Sequence, residues 1–232
     1  MKNNNLEQLS NNIFRQYFIL YEFPDNEGKP YKSNGGKFIS TEYGEIPERW
    51  NIIKLKEICK FIKGKKPKNI EEKYFEDSKE YLTIDVLQGN EKLYGSKEKT
   101  IPINKYDILM VMDGASSGDL FYGKNGILGS TLAKIKVKEE YLEIIYKYLD
   151  YYNEEIKRNN TGSAIPHTDK GFVLNLKIAV PSDLDSINTI FRNIRDKTIK
   201  NNQEIEKLTK LRDTLLPKLM SGEIDVSGIN FD

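Results

Sequence analysis

The chain has 232 residues, enough for one medium-sized domain and an appendage. Its 36 basic and 35 acidic side chains nearly cancel, which indicates neither a strongly basic nucleic-acid binder nor an acidic mimic of DNA. With one cysteine and one histidine, we expect no intrachain disulfide and no metal site of these residue types. No apolar run is long enough to cross a membrane and no signal peptide is evident, so we expect a soluble, cytoplasmic protein.

The first 46 residues are predicted to form a helix and a connector, 1–46. Helical spacing over Leu6 to Tyr21 places five apolar side chains on one face, and Pro24 ends the helix. These side chains are Leu6, Leu9, Ile13, Tyr17 and Leu20. Residues 25–44 are polar and rich in glycine, with little strand pattern. The change of pattern near residue 46 predicts a domain boundary.

Residues 47–181 have a mixed pattern that predicts an α+β domain. The segment 139–157 follows the helical period and is expected to pack on strands. Alternating or continuous apolar runs predict the strands. These runs are Tyr81–Leu87, Thr100–Ile103, Asp107–Met112, Leu120–Tyr122, Gly126–Val137 and Phe172–Val180.

The last segment, 182–232, is dominated by one predicted helix from Asp183 to Ser221. Ser182 or Asp183 is a suitable N-cap, and Gly222 is a typical residue after a helix end. The helix would be about 55 Å long at 1.5 Å per residue.

An apolar seam at coiled-coil spacing runs along this helix, with a polar centre. Its positions are Ile187, Ile190, Ile194, Thr198, Asn201, Ile205, Leu208, Leu215 and Leu219. We expect a partner helix to cover the seam, because a small domain alone cannot bury so long a stripe. The polar centre would control the register of pairing. The alternative is a helix that packs on its own domain.

The stretch from Lys54 to Lys68 contains seven lysines and one acidic residue, Glu57. Gly64 and Pro67 predict an exposed turn, which would suit contacts with DNA phosphates. The candidates for these contacts are Lys63, Lys65, Lys66, Lys68 and Lys124. A solvated lysine-rich edge is an equally good interpretation of the stretch.

Two polar loops are candidates for reading bases, because small hydroxyl side chains on tight loops can approach DNA closely. The first loop, 113–119, joins two predicted strands and offers Ser116 and Ser117. The second, 159–170, offers Thr161, Ser163, His167 and Lys170. The first loop could equally be a plain hairpin turn, and a lone histidine is more often an ordinary surface residue.

Catalytic motifs are missing from the sequence. There is no phosphate-binding loop of the GxxxxGK[ST] type and no glycine-rich strand-to-helix turn for a dinucleotide or adenosyl cofactor. We therefore predict no catalytic residues, no cofactor and no metal.

The segment IEKLTKLRDTLLPKLMSGEI, residues 205–224, closely resembles the conserved helical region of the specificity subunits of type I restriction–modification enzymes. The segments IFRQYFILYEFPDNEGKPYKSNGG, GEIPERWNIIKL, DILMVMDGASSG and GSAIPHTDKGFVLNLKIAVP are also similar to this family. The resemblance implies a target-recognition domain that binds double-stranded DNA and directs methyltransferase and restriction subunits without catalysing a reaction.

Family members typically have two recognition domains and two long helices, whereas this chain has one of each. The resemblance therefore implies a half-length subunit that pairs as a homodimer through its helix and reads an inverted bipartite site. Three alternatives remain: a truncated cassette that serves as a recombination donor, a coiled-coil scaffold without a role on DNA, and an uncharacterised nuclease.

Overall fold

The computed structural model of the chain describes residues 2–224. The helices are α1 Lys2–Phe14, α2 Leu55–Ile58, α3 Ile84–Gln88, α4 Leu142–Tyr151, α5 Asn153–Arg158, α6 Lys170–Asn175 and α7 Asp185–Met220. A π-helical turn, Arg15–Ile19, follows α1, and a 3₁₀ turn, Glu139–Tyr141, precedes α4. The strands are β1 Phe38–Thr41, β2 Gly44–Pro47, β3 Trp50–Lys54, β4 Cys59–Lys63, β5 Ile70–Glu71, β6 Ser78–Leu82, β7 Tyr94–Ser96, β8 Pro102–Ile103, β9 Ile108–Val111, β10 Leu120–Phe121, β11 Gly126–Leu128, β12 Leu132–Val137 and β13 Lys177–Pro181. This content confirms the predicted α+β class with a long C-terminal helix.

Two sheets form the centre of the fold. One is antiparallel with the strand order β10-β9-β12-β4, and the other has the order β5-β7-β6-β11-β8 with a parallel pair, β6 and β11. Strand β9 is buried on both faces: Ile108 and Met110 face the larger core, whereas Leu109 and Val111 face the smaller one. The pairs β1–β2 and β3–β13 complete the sheet structure.

The larger core joins the N-terminal helix, the four-stranded sheet, α4 and the start of α7. Phe14 is fully buried there, and Phe18 stacks on it with ring centroids 4.9 Å apart. Of the predicted apolar face, Ile13 and Tyr17 pack against this core, but Leu9 is exposed, and Ser10, Phe14 and Phe18 are the buried residues. The π-helical turn, Arg15–Ile19, changes the helical phase only for the residues that follow Phe14.

Two of the predicted strand runs are partly helical, because in each case a side chain caps a helix that overlaps the run. In the run Tyr81–Leu87 the strand stops at Leu82, since the Thr83 hydroxyl accepts a hydrogen bond from the Val86 amide at 3.2 Å and starts α3. In the run Phe172–Val180 the Asp169 carboxylate accepts from the Phe172 amide at 3.0 Å and caps α6. Only β13 remains as strand in that run.

Two further boundaries differ from the prediction. The run Gly126–Val137 divides into β11 and β12, which belong to different sheets. The break lies where Gly64 meets Gly129 so closely that a Cβ on Gly64 would lie 1.9 Å from the Gly129 carbonyl oxygen. The expected connector 25–44 contains β1, which pairs with β2 in a hairpin that alternation does not reveal because most of its side chains are exposed.

The long helix lies where the sequence predicts it, within two residues at each end. The predicted helix 139–157 is also present, as α4 and α5 with an interruption at Tyr152. The division into 1–46, 47–181 and 182–232 stays a prediction, and residues 225–232 lie outside the described residues. No helix within residues 2–224 combines the length and hydropathy needed to cross a membrane.

Candidate nucleic-acid interface

The two polar loops lie side by side, although 40 or more residues separate them in sequence. The Gly114 amide donates to the Pro166 carbonyl at 3.0 Å, and the Thr168 amide donates to the Met112 carbonyl at 2.9 Å. Thr161 and His167 pair through both of their backbone amides, at 2.8 and 2.7 Å. These bonds hold the loops as one rigid unit at the end of β9.

Ser117 joins the loops from the inside. Its side chain is 1% exposed, and its hydroxyl lies 2.7 Å from the Gly114 carbonyl oxygen and 2.8 Å from that of Pro166. Asn160 donates to the Ser117 carbonyl at 3.0 Å and ties the second loop to the first. This geometry removes Ser117 from the candidates for DNA contact, since its hydroxyl faces protein.

A cleft of about 390 Å³ opens between these loops and the end of β4; we call it the loop cleft. It is lined by Lys63, Met112, Asp113, Thr161, His167, Thr168, Asp169, Lys170 and Gly171. At its centre the Nδ1–H of His167 donates to Asp113 Oδ1 at 2.8 Å, because a carboxylate can only accept. Lys63 Nζ lies 3.8 Å from Asp113 Oδ2.

The structure thus brings four predicted residues, Lys63, Thr161, His167 and Lys170, into one cleft. Ser116 is half-buried on the first loop and Ser163 is exposed on the second. Lys124 lies apart from them: its Nζ is 2.9 Å from Glu80 and donates to the Val86 carbonyl at 3.0 Å. Because this ammonium is already paired, Lys124 is the least available of the predicted lysines for a contact with phosphate.

The lysine-rich segment that follows β4 is a fixed connector between the two sheets. Gly64 and Pro67 are buried, so the predicted exposed turn at these two residues is wrong. Gly64 packs on Gly129, and Pro67 packs on Gly95, where an added Cβ would meet its ring at 2.5 Å. The lysine side chains nevertheless project into solvent, and Lys65, Lys66 and Lys68 form no ion pair within residues 2–224.

Sequence reasoning missed the two carboxylates of the loop cleft, Asp113 and Asp169. Both lie in the two polar loops, for which the sequence predicts DNA contacts only through hydroxyl and basic side chains. Asp169 is occupied by the cap of α6. Asp113 keeps one oxygen, Oδ2, without a hydrogen-bond donor among the described residues. A strand end followed by Asp-Gly is the signal that could have found it.

The first half of α7, residues 185–202, is anchored to its own domain. Ile187 and Phe191 are each 3% exposed in the larger core. Ile194 and Thr198 line a groove of about 310 Å³ shared with α1. The expectation of a partner helix over this half of the seam is therefore wrong, and the alternative of packing on the same domain holds here.

The polar centre of the seam also has its partner within the chain. Asn201 donates to the Asn3 side-chain oxygen at 2.8 Å, and Asn3 donates to that of Asn202 at 2.6 Å. These bonds tie the first turn of α1 to α7. The asparagines thus select the position of α1, which is a different role from the predicted control of register between two chains.

The second half of α7, residues 203–220, projects from the domain with its apolar seam uncovered. Ile205 and Leu208 are both 56% exposed, and Leu215 and Leu219 are also exposed. Leu211 lies beside them and is exposed as well. A partner helix over this half stays a prediction.

A buried ion pair fixes the direction in which α7 leaves the domain. Glu143 of α4 pairs with Arg195 of α7, and both side chains are less than one tenth exposed. Arg192 Nε lies 3.7 Å from the same carboxylate. Burial raises the pKa of Glu143, while Arg195 and then Arg192 act in the opposite direction. Arg195 also lies over the Tyr106 ring at 4.9 Å.

Within residues 2–224, no three His, Cys, Asp or Glu side chains converge in a way that could hold a metal ion. The loop cleft can thus offer hydrogen bonds and charge. Its donors and cations suit an anionic polymer, and the Asp113 oxygen without a donor among the described residues suits an amino group.

Residues 47–210 match the model of the family described as the type I restriction modification DNA specificity domain. The matched part includes both polar loops, the lysine-rich segment and the anchored half of α7. The MjaVIII specificity subunit of Methanocaldococcus jannaschii is 31% identical over 182 residues, which are 76% of this chain and 43% of the relative. The MjaIX specificity subunit of the same organism is 24% identical over 242 residues, with 97% of this chain and 54% of the relative covered. The chain spans about half the length of the curated relatives it matches.

Solved structures give the same picture for the fold. The S subunit of a type I restriction–modification system from M. genitalium matches with a TM-score of 0.54 and 22% identity, over 74% of this chain and 46% of that one. The HsdS subunit from Thermoanaerobacter tengcongensis matches with a TM-score of 0.52 and 16% identity, over 96% of this chain and 52% of that one.

Proposed function

Because the chain belongs to the family of the type I restriction–modification DNA specificity domain, we propose that it reads a DNA sequence for an enzyme of this type. The observation that carries the proposal is the family match over residues 47–210, which includes the loop cleft and the exposed lysines. In this proposal the chain catalyses nothing itself. It acts in the cytoplasm and brings methyltransferase and restriction subunits to the site.

We assign phosphate contacts and base contacts to different residues on the basis of their exposure and charge. Lys65, Lys66 and Lys68 are exposed and unpaired within the described residues, so we assign them to phosphates, whose contacts supply affinity without sequence information. Thr161 and His167 lie in the rigid loop cleft, and we assign them to base edges.

The exposed half of α7 supports pairing of two copies. Burying a leucine or isoleucine fully is worth about 1.5–3 kcal/mol, and this half presents six such side chains. Two of its three acidic residues, Glu204 and Glu206, lie near its start, and Lys218 lies near its end. An antiparallel pair brings Glu204 and Glu206 of one chain toward Lys218 of the other, whereas a parallel pair brings each of these charges toward its own copy.

An antiparallel homodimer has two-fold symmetry, so its two recognition domains would read an inverted, bipartite site. The anchored half of α7 is covered by its own domain, which leaves residues 203–220 for the overlap. The unspecified spacer between the half-sites would then depend on the length of α7.

A salt titration of DNA binding tests the proposal. We expect the triple variant K65Q/K66Q/K68Q to bind duplex DNA of any sequence more weakly, because phosphate contacts are lost. The slope of log affinity against log salt should fall by about 0.9 for each lost contact. Fluorescence anisotropy with a labelled duplex measures both quantities.

The matched control is K29Q/K32Q/K37Q, which removes the same charge from exposed lysines of the segment before β1. This control should retain the wild-type slope. Equal slopes for wild type and K65Q/K66Q/K68Q would show that the lysine-rich segment does not touch phosphate.

A further inference from the structure

The loop cleft contains one acidic group whose role the family resemblance does not assign. Asp113 lies two residues after the end of β9 and is held on both sides, since the Met112 amide donates to the Thr131 carbonyl at 2.8 Å and the Gly114 amide donates to Pro166. Gly114 has φ of +103°, a conformation that favours glycine and turns the chain sharply after Asp113. The carboxylate is thus placed by the backbone.

The two oxygens of Asp113 have different partners. Oδ1 accepts from the His167 ring, which fixes the orientation of the carboxylate. Oδ2 has only Lys63 Nζ at 3.8 Å, beyond hydrogen-bonding distance, and no donor among the described residues. The side chain is 32% exposed, so Oδ2 can accept a further hydrogen bond from outside the protein.

The other carboxylate of the cleft already has a structural role. Asp169 Oδ1 accepts from the Phe172 amide and caps α6. Of the other polar side chains that line the cleft, Lys63 and Lys170 are cations, whereas the threonine hydroxyls and the His167 ring can both donate and accept. Asp113 and Asp169 are therefore the two acceptor-only side chains that line the described cleft, and Asp113 is the one that caps no helix.

We propose that Asp113 is a specificity-determining residue that reads a base carrying an amino group in the major groove, cytosine or adenine. The inference rests on the proposed function and deepens it. A carboxylate repels phosphate and the O6 and N7 acceptors of guanine or the O4 of thymine, but it accepts from cytosine N4 or adenine N6. Lys63 and Lys170 beside it supply the attraction for the backbone that brings the base edge within reach.

The test is a selection from a randomised duplex library with the full chain, followed by sequencing of the bound DNA. We expect D113N to change the preference at one position of each half-site, because an amide can also donate to guanine or thymine. Discrimination against these bases at that position should fall on the order of 10-fold, while the other positions keep their preference.

The matched control is D119N. Asp119 lies on the same loop, has the same 32% side-chain exposure and pairs with Lys157 at 2.7 Å outside the loop cleft. It removes the same charge and should leave the selected sequence unchanged. Thermal melts confirm that both variants are folded before selection.

Two outcomes would overturn the inference: an unchanged preference in D113N, or weaker binding to all sequences with the preference intact. The second would mean that Asp113 only positions Lys63 and His167. If the wild-type chain itself selects no sequence, the proposed function fails, and the inference falls with it.

Discussion

The two halves of α7 have the same apolar spacing and opposite environments. In the anchored half, 185–202, Ile187 and Phe191 lie in the larger core and α1 covers the next turns. In the exposed half, 203–220, Ile205 and Leu208 face solvent. The spacing of the sequence shows only that a helix has an apolar stripe. Whether that stripe is buried in its own domain or stays exposed depends on which other elements pack against it.

The two halves of this one continuous helix therefore have different roles. The Glu143–Arg195 pair and the core contacts make the first half part of the recognition domain. The second half is then a rigid arm whose direction is fixed by the domain. Together, the 36 residues of α7 span about 54 Å at 1.5 Å per residue.

The largest effect is expected from charges placed in the exposed half. The double variant I205E/L208E would put four unpaired carboxylates into the seam of the proposed homodimer, each costing several kcal/mol. We expect the wild-type chain to sediment at twice the 26.9 kDa of the monomer and the variant to sediment as a monomer. The variant Q203E/T214E adds equal charge on the opposite side of the helix and should remain dimeric. An unchanged mass for I205E/L208E would end the proposal of pairing through this half.

A substitution in the anchored half is expected to affect assembly less and to lower the stability of the domain. In the monomeric I205E/L208E background, F191A should lower the free energy of unfolding by about 3–5 kcal/mol, because Phe191 fills the core. The control L211A removes an exposed side chain and should change it by about 0.5 kcal/mol or less. Urea denaturation measures both. Equal destabilisation by the two substitutions would contradict the division of the helix.

Chemical labelling of Cys59 measures independently how substitutions in the two halves of α7 affect the core. It is buried in the larger core, and burial raises the pKa of its thiol to about 12. The thiolate is the reactive form, so a thiol reagent should label Cys59 only when the core opens. F191A should accelerate labelling, and L211A should not.

The sequence predicted those parts of the fold that local pattern controls. The N-cap of α7 is Leu184, next to the predicted Asp183, whose carboxylate accepts from the Asp185 amide at 2.9 Å, and the helix ends before Gly222 as predicted. The strand β9 follows from a continuous apolar run. The capped helices α3 and α6 were missed, because Thr83 and Asp169 change the local structure inside runs that look like strands. Side-chain caps compete with an apolar pattern at such places.

The arrangement of the site depends on contacts that no local pattern contains. The hydrogen bond between Asp113 and His167 spans 54 residues, and that between Asn3 and Asn202 spans 199. Composition therefore identified the two polar loops but could not show that they share a cleft. It also could not show that α1, from the other end of the chain, covers the anchored half of α7.

The most direct test of the account is to sequence the methylated bases of the host genome with and without the gene for this chain. We predict that a methylated motif consisting of an inverted repeat with an unspecified spacer is present with the gene and disappears without it. Restoring the gene with seven residues inserted after Asn202, which keeps the heptad phase, should lengthen the spacer and leave both half-sites unchanged. A motif that persists after deletion, or one whose spacing ignores an active insertion variant, would contradict the account.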